Sequence, residues 1–96
     1  MTPQQLAEER ARAEVPALAA RQDLEKLDEA LAGLAMPRTS PRRARALQRI
    51  RSEHERLLQA HADAVTREDV RAIRERAGRL TRALELWRRL ESQPAD

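Results

Sequence analysis

The sequence predicts an all-α fold, an antiparallel bundle of three long helices with coiled-coil-like packing, and three observations carry that expectation. Trp87 is the sole aromatic residue among 96, so the core must be built from Leu, Ile, Val and Ala, side chains that pack most readily between helices. Charged residues make up 36% of the chain and hydrophobic ones 41%, the balance of long amphipathic helices; apolar content this regular in register argues against disorder. Finally, Leu24, Leu27, Leu31 and Leu34 are spaced 3-4-3, and Val70, Ile73, Ala77, Leu80, Leu84 and Trp87 are spaced 3-4-3-4-3. A chain of this length buries roughly 60–65% of its unfolded surface and has room for one core, so residues 1–96 are expected to form a single domain.

The first helix is expected over about 3–35. Thr2, Pro3 and Gln5 have the form of a capping box, with proline in the first helical position where its missing N–H costs no hydrogen bond. Pro16 lies inside this segment and clashes with the carbonyl four residues back, so a kink is expected, or a split into two shorter helices that would give four in all. A faint likeness between 21–29 and 67–75 in charge and apolar spacing would suit two successive hairpins if the split occurred.

Residues 36–40 read as a linker, because Pro37 and Pro41 bracket small polar residues and Ser40 can cap a helix opening at Pro41. The second helix is expected over about 41–62. Leu47, Ile50, His54, Leu57 and His61 continue the apolar spacing, which places both histidines of the chain on the inward stripe. Thr66 and Asp69 repeat the capping-box pattern, with Val65 and Val70 at the positions of a hydrophobic staple. The third helix is expected over about 67–91, and 92–96 should fray. Short connections make sequential helices antiparallel neighbours. Gly33 and Gly78 both read as isolated helical glycines, Gly78 marking either a close helix approach or a tolerated weak spot.

Several function classes drop out at this level. Without cysteine there are no disulfides, thiolate nucleophiles or Cys-ligated zinc. No glycine-rich phosphate loop is present, and acidic pairs such as Glu8-Glu9 and Asp28-Glu29 have the polar surroundings of solvated faces, so catalysis is not expected. No cofactor is expected either. The N-terminus lacks a basic segment followed by an apolar run, and no membrane span is evident, so the expected location is cytoplasmic. His54 and His61 lie two helical turns apart, about 10.5 Å along the axis, too far to share a metal ion. They are expected to hydrogen-bond a neighbouring helix and are the candidates for a pH-sensitive contact.

Two segments point to a partner. All basic residues except Lys26 are arginine, and Arg38, Arg42, Arg43, Arg45 and Arg49 crowd the linker and the start of the second helix. Guanidinium groups beside a helix N-terminus can hold phosphates, which suggests a nucleic-acid-associated factor; pairing with the acidic first helix explains the same residues without one. On the third helix Leu86 and Leu90 fall beside the main seam, widening the apolar face beyond what one neighbour needs. Leu80, Leu84, Trp87 and Leu90 are therefore the expected surface of a non-enzymatic protein–protein interaction module, as a homodimer, an adaptor or a chaperone-like factor.

Overall fold

The computed structural model describes residues 1–38 and 40–92. Three helices account for most of them: α1 over Pro3–Ala32, α2 over Pro41–Asp63 and α3 over Arg67–Ser92. They pack side by side into a bundle of about 60 × 17 × 17 Å. Of the expected linker, Thr39 lies outside the described residues, as do residues 93–96 of the expected frayed tail; Ser92, counted with that tail, closes α3.

Each helix begins where its side chains can satisfy the first backbone donors. The Thr2 hydroxyl accepts from the Gln5 amide at 3.1 Å, and the Gln5 side chain accepts from the Thr2 amide at 2.9 Å. Ser40 accepts from the Arg43 amide at 3.3 Å. At α3 the Asp69 carboxylate accepts from the amides of both Val65 and Thr66 at 3.1 Å, while Thr66 Oγ1 accepts from the Asp69 amide.

For α1 one open alternative is settled and one bound is corrected. The helix is continuous through Pro16, so the bundle has three helices and the two-hairpin alternative falls. One missing N–H does not outweigh a helix of this length held along one side by the buried residues Ala13, Ala20, Leu24, Leu27 and Leu31. The helix also ends at Ala32 rather than near 35. Gly33 stands at its cap with φ −80° and ψ −4°, and the Leu34 amide donates to the Leu31 carbonyl at 3.1 Å, a tightened last turn that leaves Gly33 outside the helix.

Contacts between helices fix how they lie. Along α2, Arg51, His54 and His61 meet carbonyls of Leu34, Leu24 and Ala17, so partners fall along α1 as they rise along α2. On α3, Arg76 meets Glu53 and Trp87 meets Arg43, so α3 in turn runs back along α2. Between α1 and α3 the pairs Glu9–Arg67, Asp23–Arg74 and Ala30–Arg88 rise together. Fourteen buried apolar residues from all three helices form one core, in which Ala20, Leu47 and Leu57 are fully enclosed.

Candidate interaction surface

Of the four residues expected to meet a partner, Leu80, Leu84 and Trp87 are buried at 6%, 3% and 5% exposure, which corrects that assignment. A helix in a three-helix bundle packs against two neighbours, so it uses a wider stripe than a hairpin would. Leu80 borders the valley between α2 and α3, and Leu84 borders the groove between α1 and α3. Trp87 is bound more specifically. Its indole N–H donates to the Arg43 carbonyl of α2 at 3.0 Å, satisfying the ring's only polar atom inside the core.

What remains outside is Leu90, 49% exposed, together with Leu86, 58% exposed. They are four residues apart on one helical face. Their spacing sets both apart from the main seam, and Leu86, outside the expected partner surface, joins Leu90 in solvent.

The arginine segment divides in the structure. Arg43 is engaged: its guanidinium lies 3.5 Å from Glu91 of α3 while its carbonyl receives Trp87. Arg45 donates to the Pro41 carbonyl of its own helix at 3.4 Å. Arg38, Arg42 and Arg49 are exposed and make no ion pair among the described residues. Pairing with the acidic first helix therefore does not account for this segment. The arginines that reach acids of α1 are Arg67, 3.6 Å from Glu9, and Arg74, 3.4 Å from Asp23, both on α3. Between Glu29 and Glu53 the sequence holds six arginines and no acidic residue, so positive charge gathers where α1 ends, α2 begins and α3 closes.

Both histidines point inward, as their register predicts. His54 is 4% exposed with Nε2 3.1 Å from the Leu24 carbonyl, and the partly buried His61 places Nε2 2.9 Å from the Ala17 carbonyl. Seven residues separate the two histidines and seven separate the two carbonyls, so a single register satisfies both. They act as cross-helix struts.

Two acidic groups are shifted. Glu53 is held below its usual value of 4.5 by the hydrogen bonds of Arg76, whose Nη2 and Nε lie 2.7 and 3.1 Å from one carboxylate oxygen; partial burial opposes this, and the charges of Arg76 and Arg56 add to it. Asp69 is held below 3.8 by the backbone amides of Thr66 and Val65 and by the Thr66 hydroxyl. Each shift has a structural cause. Near the start of α3, Glu9 Oε2 is enclosed without a hydrogen bond, with the Arg67 guanidinium just beyond that distance.

Among the described residues no cluster of three His, Asp or Glu side chains could hold a metal ion, and no helix is long and apolar enough to cross a membrane. The geometry offers faces and grooves. Compared with known proteins, the chain matches no family model, no curated protein and no solved structure.

Proposed function

We propose that this chain is a non-enzymatic protein-interaction module whose docking surface is the closing stretch of α3 around Leu86 and Leu90. The observation that carries the reading is the exposure of these two leucines on a regular helix beside a complete core. Each retains about half of its burial free energy, on the order of 1 kcal/mol per side chain, still to be gained from a partner. The fixed backbone beneath them means that docking orders little that is not already ordered, which lowers the entropic cost of association.

A second reading, a nucleic-acid-associated factor, is favoured by the acid-free run that carries Arg38, Arg42, Arg45 and Arg49. The two readings respond oppositely to salt, because phosphate contacts weaken steeply as salt rises whereas apolar contacts persist. The test is size exclusion with light scattering at low and high salt, with absorbance followed at 260 and 280 nm. A salt-resistant assembly or co-purifying protein, lost in a Leu86→Ser/Leu90→Ser variant of unchanged helicity, supports the first reading. Nucleic acid shed at high salt from a monomer would replace it with the second.

A further inference from the structure

We infer that the partner docked at Leu86 and Leu90 is an acidic amphipathic helix, laid along the valley between α2 and α3; this rests on the protein-interaction reading above.

The valley floor and walls are formed by Glu53 of α2 and by Arg76, Arg79, Leu80 and Ala83 of α3. Leu90 lies seven residues beyond Ala83, and Leu86 seven beyond Arg79, so both leucines continue the α3 wall toward its C-terminus. The Trp87–Arg43 hydrogen bond and the Arg43–Glu91 ion pair set the first turns of α2 opposite them. There the outer ridge of α2 carries Arg42 and Arg49, seven residues apart, and Arg56 one heptad further on pairs with Glu53. Behind the leucines on α3 run Arg82 and Arg89, again seven apart. Two exposed leucines are thus flanked on both sides by arginine rows.

The acidic groups nearest the α2 rim are already engaged. Glu53 lies 2.7 Å from Arg76 and Glu91 lies 3.5 Å from Arg43, while Glu85 borders the groove between α1 and α3 together with Arg82. A partner covering the leucines must therefore remove water from Arg42 and Arg49 on the α2 rim, whereas Arg82 and Arg89 share their face of α3 with Glu85, three residues after the one and four before the other. Partial burial of unpaired charge is unfavourable, so an uncharged apolar helix gains at the leucines and loses along the α2 rim. Nucleic acid satisfies the arginines and leaves the leucines wet. A helix with an apolar row bordered by glutamates satisfies both at once. From Arg79 to Leu90 the wall extends about 17 Å, the length of roughly three helical turns.

The probe is a fluorescein-labelled helical peptide of about 18 residues with leucines at i, i+3 and i+4 spacing and glutamates on both flanks. A second peptide carries the same leucines with lysine flanks, and a third probe is a labelled single-stranded oligonucleotide. Fluorescence anisotropy should show the glutamate peptide binding at least about tenfold more tightly than the lysine peptide, a ratio that shrinks as salt rises. Leu86→Ser/Leu90→Ser and Arg42→Glu/Arg49→Glu should each weaken it at least about tenfold while helicity by circular dichroism is unchanged. Val15→Ser/Leu18→Ser, on the exposed outer face of α1, should not. Equal affinity for the lysine peptide would overturn the acidic partner while leaving a protein-interaction surface in place. Failure of both peptides would overturn the inference, and leucine-independent oligonucleotide binding lost in the arginine variant would overturn the protein-interaction reading with it.

Discussion

Arg51 shows how much of this structure is decided one side chain at a time. The last turn of α1 contains no basic residue, so its terminal carbonyls and the negative end of its dipole lack local compensation. Arg51 supplies it from α2, with Nη2 2.8 Å from the Leu34 carbonyl and 3.5 Å from that of Leu31, and Arg88 of α3 adds a contact at 3.4 Å to Ala30. Arg51→Ala should cost about 1–3 kcal/mol in urea denaturation, because carbonyls held by a charged donor are left half-satisfied. The exposed Arg45→Ala should cost within about 0.5 kcal/mol. Composition shows Arg51 only as one arginine among many; its role depends on which α1 residue lies opposite, a tertiary fact that spacing does not encode. Glu53 and Asp69 carry the pH response. Both have folded values below their unfolded ones, so the unfolded state binds more protons and stability falls with acidification. Their contribution is complete above the usual values of 4.5 and 3.8 and is lost as pH drops through the lowered ones. Urea midpoints between pH 7 and pH 2 should fall over that window, and Glu53→Gln should flatten part of the decline; an unchanged profile would show that the Arg76 contact is not held in solution.

Helices are where the sequence was most readable, and their ends show why. Starts were legible because capping is local: Thr2 with Gln5, Ser40 with Arg43, and Thr66 with Asp69 are joined by hydrogen bonds within four residues. The end of α1 was less so, since its last carbonyls are satisfied from two other helices and Gly33 closes it without a left-handed backbone. Pro16 left two outcomes open for a related reason. Proline disfavours a helix by a local amount, while the packing that keeps α1 continuous is spread over five buried positions. Gly78 resolves as a weak spot rather than a close approach, because a Cβ built there would meet only Arg82 Nη1, at 3.9 Å. Gly78→Ala should therefore raise stability by up to about 1 kcal/mol, measured as a higher urea midpoint at unchanged slope. A loss would mean that α1 and α3 approach more closely than this geometry has them.

At the scale of the whole molecule, periodicity located the stripes but not how many neighbours each one serves. That is why the third-helix stripe was legible as apolar while Leu80, Leu84 and Trp87 were misassigned to the outside. A paired substitution separates core from surface directly. Leu84→Asp, at 3% exposure, should abolish cooperative unfolding by burying a charge and leaving a void, a loss on the order of 3–5 kcal/mol or more. Leu90→Ser, at 49% exposure, should leave helicity and melting almost unchanged. Similar behaviour of the two variants would show that α3 is rotated relative to this arrangement. The bundle also holds its one indole in a telling position: Trp87 is enclosed between the last turns of α3 and the first of α2, tethered to Arg43, and it immediately follows Leu86 in the chain. With neither tyrosine nor a second tryptophan to obscure it, this protein carries its own optical gauge, whose emission colour and quenching report both the parting of α2 from α3 and the arrival of anything on the face beside it.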